Sequence, residues 1–174
     1  MDAHKKLLPL IRAIPDFPEP GIVFRDITPL LKDYDVLSFA IEALVAPFRD
    51  LGIGSVAGME ARGFIFGALA ARALGVGFVP LRKPGKLPFS TNRVDYELEY
   101  GEASLEVHTD AVNEGEGVLL VDDVIATGGT ARASCELLRG QGAHIVGCAF
   151  LIELTALNGR AGLSPRVVHS VITY

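Results

Sequence analysis

The chain has 174 residues, enough for one domain with a substantial core, and 49 % of them are hydrophobic, which argues against disorder. A formal net charge of −5 and a pI near 5.3 argue against a nucleic-acid binder that works through a basic surface, and no apolar run is long enough to span a bilayer. Cys135 and Cys148 have neither metal-ligand nor CxxC spacing, so they read as buried reduced thiols, and a cytoplasmic location is expected.

The opening apolar patch is too short and interrupted for a signal peptide, and "AHKKLLPLIRAI" reads as a short amphipathic helix. "PDFPEPGIVFRDITP" follows, with four prolines around "GIVFRD". Such a stretch is expected to be extended and loop-like, displaying Ile22, Val23 and Phe24 rather than wrapping them into an element. From Asp35 to about Asp50, Leu37, Ile41, Leu44 and Phe48 fall at helical spacing, and Pro47 predicts a kink or an early end.

"SVAGM" reads as a buried strand, "GFIFGALAARAL" as an apolar helix and "GVGFVPLRK" as the next strand. Residues 86–110 break this rhythm. "RVDYELEYGEASLEVHT" alternates polar and apolar residues, as a two-stranded arm facing solvent on one side would. Then come the strand "GVLLV", the helix "GTARASCELLRGQG", and the strands "HIVGCAFLI" and "RVVHSVITY". Alternating strands and helices predict an α/β fold, a central mostly parallel sheet flanked by helices. The four histidines form no spaced pair, and no role is assigned to them.

"GVLLVDDVIATGGTARA" carries the chemistry. An apolar strand runs into two adjacent acids and then into a glycine turn that opens a helix. At the C-terminal edge of a parallel sheet, the backbone N–H groups of Thr127, Gly128, Gly129 and Thr130 would form an anion cradle aided by the helix dipole. Neither a Walker lysine nor a GxGxxG accompanies it. Asp122 and Asp123 make no sense against a phosphate, but ionised carboxylates accept hydrogen bonds from a vicinal diol. The stretch reads as a cradle for a sugar 5-phosphate. Elsewhere the residues leave alternatives open. Arg62 in "MEARGF" suits either a pyrophosphate contact or a surface ion pair. Arg82, Lys83 and Lys86 in "LRKPGKLP" need an anionic partner or a solvated face. Phe24 is either core or a wall for a flat base, and Glu99 on the arm is either solvated or catalytic.

"VLLVDDVIATGGTA" resembles the phosphoribosyl pyrophosphate signature of type I phosphoribosyltransferases. "FPEPGIVFRDITPLL", "GMEARGFIFGALAARALGVGFVPLRKPGKLP" and "YELEYG" resemble the adenine-using branch, and the likeness covers most of residues 15–154. The resemblance implies one domain over residues 1–174, with a small N-terminal hood at about 15–30 that binds the base and a flexible β-arm lid at about 86–110. It implies that Asp122, Asp123, Ala126, Thr127, Gly128, Gly129 and Thr130 hold ribose 5-phosphate, and that Arg62, Arg82, Lys83 and Lys86 hold pyrophosphate. Adenine would stack on Phe24 with Leu154 as the opposite wall, its edge read by the backbones of Val23 and Arg25. Glu99 and Tyr100 would belong to the lid, with Glu99 moving a purine proton, and Arg62, Asp122 and Asp123 would complete the catalytic set. Mg²⁺ would be held by substrate oxygens and water, with no dedicated protein ligands. The implied reaction joins adenine and 5-phosphoribosyl 1-pyrophosphate into AMP and pyrophosphate, in a homodimer with Arg82 near the dimer interface.

Two rivals compete with this expectation. A 6-oxopurine phosphoribosyltransferase would place a lysine late in the strand after the signature helix, where "AFLIEL" has Glu153. A non-catalytic regulator that senses phosphoribosyl pyrophosphate would carry an added nucleic-acid-binding module, for which an acidic chain of 174 residues has little room.

Overall fold

The computed structural model describes residues 3–98 and 101–174. Ala3–Leu7 forms α1, and a 3-10 turn over Leu8–Leu10 with Pro9 in its first turn follows it. The opening helix is therefore shorter than its apolar pattern predicts: Pro9 has no N–H to continue it, and Arg12–Pro15 becomes β1. β1 pairs antiparallel with β2, Val23–Asp26, placing Ile14 opposite Phe24. This corrects the expectation of an unpaired loop around Phe24. Pro18 and Pro20 fall in the connection, Pro15 ends β1, and Pro29 sits in the first turn of α2, Thr28–Lys32. None of them removes a donor from β2 itself.

α3, Tyr34–Val45, starts at Asp33, whose carboxylate accepts from the Val36 N–H at 3.0 Å. It ends where Pro47 enters a 3-10 turn over Ala46–Phe48. Then β3 (Ser55–Met59), α4 (Gly63–Leu74) and β4 (Gly77–Leu81) follow. β5 (Thr91–Leu98) and β6 (Gly101–His108) pair antiparallel as a separate two-stranded arm. The chain closes with β7 (Gly117–Ile125), α5 (Gly129–Gly140), β8 (His144–Glu153) and β9 (Val167–Thr173).

The main sheet has the order β4-β3-β7-β8-β9, and every pairing in it is parallel. Both of its faces are covered. Leu119, Val121, Ala149 and Leu151 pack with Phe48 and Leu44 of the α3 side and with Phe66 of α4, all fully buried. Val118, Leu120, Cys148 and Phe150 pack with Cys135 and Leu138 of α5 and with Leu105 and Val107 of the arm. Cys135 and Cys148 are free and buried, their sulfurs 3.7 Å apart, as expected of reduced thiols.

The chain leaves β3 toward β4 but leaves β7 toward β8, so a crevice opens between the C-terminal ends of β3 and β7. β7 is longer than its apolar run, and both acids lie within it rather than in the turn that follows. The pairing of β7 with β8 keeps one register from Leu119 to Ile125, straight through the acid pair.

Candidate active site

The C-terminal end of β7 supplies the acids, and the two carboxylates have different partners. Asp122 is half-buried and accepts from the Asp123 N–H through Oδ1 at 2.8 Å. It lies against the start of α4, where a Cβ on Gly63 would stand 2.7 Å from the same oxygen. Its carboxyl is pushed well above the usual carboxylate range, first by burial and next by the neighbouring Asp123 charge. The Asp123 side chain is only 3 % exposed and forms an ion pair with Arg62 through the guanidinium Nε.

Asp122 also lines a cavity of about 110 Å³ with Met59, Val124, Ile125 and residues 126–131. Gly128 has φ +81°, a left-handed conformation suited to glycine, and caps α5. Among the described residues, the backbone N–H groups of Thr127, Gly128, Gly129 and Thr130 donate to no backbone carbonyl. They stand at the N-terminus of a 12-residue helix, an arrangement that attracts an anion. A larger cleft of about 400 Å³ lies at the opposite, N-terminal edge of the sheet beside His144 and Val167, and shares no residue with this one. The smaller cavity has the chemistry, because the Asp122 carboxyl and the amides at the head of α5 meet there.

Arg62 follows β3 across the crevice. Besides holding Asp123, its guanidinium carbon lies 5.4 Å from the Phe24 ring centroid. Phe24 in turn meets Phe17 edge-on at 5.3 Å. Arg62, Asp123 and Phe24, assigned to three different parts of a substrate, thus form one connected group. Arg25 turns its guanidinium onto the Tyr174 ring at 3.8 Å, and its buried Nε has no hydrogen-bond partner among the described residues. Tyr174 is tied to the end of β8, donating to the Glu153 carbonyl at 2.9 Å and accepting from the Thr155 N–H at 3.0 Å. Leu154 donates to the Ile125 carbonyl at 3.0 Å, which fastens the expected base wall to the strand that carries the acids.

The basic residues after β4 gather around one acid. Arg82 Nε donates to Glu60 Oε2 at 3.2 Å, the Lys83 N–H donates to the same oxygen at 3.0 Å, and Arg82 Nη1 donates to the Lys86 carbonyl at 3.1 Å. The Glu60 carboxyl is held below its usual range, first by the Lys83 N–H, with Arg82 adding to it against the effect of burial. The arm reaches the start of α5, since a Cβ on Gly129 would stand 3.5 Å from the Glu97 carbonyl oxygen. Glu99 and Tyr100, assigned to the lid, lie outside the described residues.

Sequence reasoning missed Glu60, Tyr174 and Gly159. Glu60 stands in the quoted stretch "MEARGF", but Arg82, which it holds, lies 22 positions on and reaches it only through the pairing of β3 with β4. Tyr174 and Gly159 carry no local pattern. Their places depend on contacts with residues more than 30 positions away, Arg25 for one and the 126–128 backbone for the other.

Acids and an open anion loop at the switch point of a parallel sheet define a binder of phosphorylated sugars, and residues 54–167 match the family model described as a phosphoribosyl transferase domain. A protein of Methylococcus capsulatus named adenine phosphoribosyltransferase is 64 % identical over 169 residues, 97 % of this chain and 99 % of that protein. The crystal structure of adenine phosphoribosyltransferase from Rhodothermus marinus superposes with a TM-score of 0.94 at 52 % identity, covering 99 % of this chain and 98 % of that one. The Saccharomyces cerevisiae enzyme of that name, complexed with an imino-altritol bisphosphate and adenine, gives 0.91 at 38 % identity, covering 97 % and 98 %. The chain belongs to the adenine phosphoribosyltransferase family.

Proposed function

We propose that the crevice joins adenine to 5-phosphoribosyl 1-pyrophosphate, releasing pyrophosphate and leaving AMP. One observation carries the reading: Asp122 lines the same cavity as the backbone of residues 126–130 at the head of α5, and beside it Asp123 binds Arg62. The 126–130 backbone takes the 5-phosphate, and the two acids accept from the ribose hydroxyls. As the C1–pyrophosphate bond breaks, the ribose gains oxocarbenium character and adenine N9 attacks C1. The acids stand beside that developing positive charge. Arg62, Arg82, Lys83 and Lys86 face the negative charge on the leaving group. Asp123 and Glu60 hold the two guanidiniums in place until substrate competes for them.

Adenine stacks on Phe24, with Val23 and Arg25 offering backbone groups to its edge and Leu154 closing the slot. Residues 15–30 act as a base-binding hood and 86–110 as a lid, to which Glu99 and Tyr100 belong. Glu99 moves the purine proton, and closure of the lid excludes water.

Among the described residues no group of three or more His, Cys, Asp or Glu is placed to hold a metal ion. The two adjacent acids offer oxygen donors that suit Mg²⁺ only when substrate and water complete its shell. Mg²⁺ bound with the substrate supplies charge neutralisation on the pyrophosphate. The same reading includes a homodimer and a cytoplasmic location. Among the described residues no helix is long and apolar enough to cross a membrane. Light scattering after size exclusion tests the dimer.

Product formation with adenine, hypoxanthine and guanine side by side tests the activity. AMP and pyrophosphate are expected from adenine alone, and equal use of a 6-oxopurine would defeat the assignment. Glu153 supports adenine, because its carboxylate is committed to Arg160 and offers no donor to a 6-oxo group. Tyr174 gives a finer test. Tyr174→Leu removes the ring beneath Arg25, and losing a contact worth about 1 kcal/mol should raise the KM for adenine roughly fivefold with kcat within about twofold. Tyr174→Phe keeps the ring and should behave as wild type in the same steady-state assay.

A further inference from the structure

We infer that Gly159, held by the Glu153–Arg160 ion pair, is a positioning residue that sets the shape of the phosphate loop. The β8–β9 connection is then the rear wall of the sugar-phosphate site. The inference rests on the site reading above and adds residues to it that lie outside the expected set.

Gly159 is buried at the start of a 3-10 segment, Gly159–Leu163. A Cβ there would stand 2.2 Å from the Ala126 carbonyl oxygen and 2.9 Å from the Gly128 nitrogen. The contact is mutual, since a Cβ on Gly128 would stand 2.4 Å from the Gly159 carbonyl oxygen. Real Cβ atoms essentially never come within 3.0 Å of such neighbours. All these neighbours are backbone atoms, so no side chain can swing aside to make room. Two backbones lie directly against each other, and one of them is the proposed phosphate cradle.

The connection is held rigidly enough to act as a wall. Arg160, next to Gly159, donates from Nε to Glu153 Oε1 at 3.0 Å, pairs with Oε2 through Nη2, and donates from Nη1 to the Val168 carbonyl at 2.6 Å. One side chain thereby pins the connection to the end of β8 and the start of β9. The Glu153 side chain is 7 % exposed, which leaves its carboxylate few other partners. At the far end of the segment, fully buried Leu163 packs in the cluster that holds Ile125 and Ala131, on either side of the cradle. The clamp therefore supports the loop from its back and at both of its ends.

The test compares two alanines in one segment. Gly159→Ala puts a methyl group into the loop backbone, whereas Gly162→Ala adds one where nothing lies within 4 Å. Calorimetric titration with ribose 5-phosphate and steady-state kinetics are run on both purified proteins and on wild type. For Gly159→Ala the expected result is at least a tenfold weaker ribose 5-phosphate affinity, a similar rise in the KM for phosphoribosyl pyrophosphate, and an adenine KM within twofold. Gly162→Ala should match wild type. If Gly159→Ala fails to fold, Arg160→Lys carries the test. It keeps the charge, loses the fork, and should weaken ribose 5-phosphate at least threefold with adenine KM unchanged. Wild-type affinity for ribose 5-phosphate in either folded variant, or equal changes in both KM values, would overturn the inference. A wild-type protein that binds no ribose 5-phosphate would instead overturn the site reading beneath it.

Discussion

The Asp122→Asn, Asp123→Asn double variant is expected to lose about 10²–10³ in kcat while remaining folded, because the proposed ribose site loses both carboxylate charges while an amide oxygen at 123 can still accept from Arg62. Its stability should follow an unusual pH course. The Asp122 carboxyl sits well above its ordinary value of 3.8, so the folded state binds that proton more tightly than the unfolded chain does. The resulting stabilisation is fully present below 3.8 and is lost as pH rises through the shifted value, so at neutral pH the Asp122 charge opposes folding. Asp122→Asn alone should therefore melt no lower than wild type near neutral pH, and its advantage should shrink as the pH falls toward about 4. Melting curves at two pH values and a turnover assay check both halves. Near-normal turnover in the double variant would remove the ribose assignment.

Arg62→Ala should damage both activity and stability. The Asp123 side chain is 3 % exposed, and without Arg62 it would be a buried charge with no partner. Breaking such a pair from one side costs about 3 kcal/mol when both groups are buried, and Arg62 is 49 % exposed, so a smaller loss is expected here. Adding Asp123→Asn to Arg62→Ala should recover most of that loss in a urea titration, because the neutral amide no longer needs a cation. Activity should not recover. kcat/KM for phosphoribosyl pyrophosphate should stay down by about 10² in both variants, since the leaving group has lost its guanidinium. A single variant as stable as wild type would mean that the ion pair does not hold the crevice together.

The parallel sheet was legible because β3, β7 and β8 are continuous apolar runs separated by helical periods, as strands covered on both faces require. The turn from β7 into α5 was legible because acids, glycines and a helix start fall within ten residues of each other. The β1–β2 hairpin was not. Its first strand, Arg12–Pro15, continues an apparently helical pattern, and only pairing with Val23–Asp26 selects the extended form. The ion pair of Asp123 with Arg62 was not legible either, because 61 positions separate the two residues. Gly159 marks the limit of local reading. "LNGRAG" looks like a solvated loop, and only the approach of residues 126–128 gives its missing side chain a meaning.

The hairpin that carries Phe24 shares no backbone ladder with the main sheet, while the acids and the amide cradle belong to β7 and the turn that leaves it. In the proposed reading, nucleobase recognition and sugar-phosphate handling sit on pieces of chain joined through side chains, Arg62 beside Phe24 and Arg25 on Tyr174. Reworking residues 12–26 toward another heterocycle leaves the ladders of the main sheet intact but has to keep or replace those two contacts. Changes to β7 have no such freedom, since it lies in the middle of the five strands with a neighbour bonded on either side.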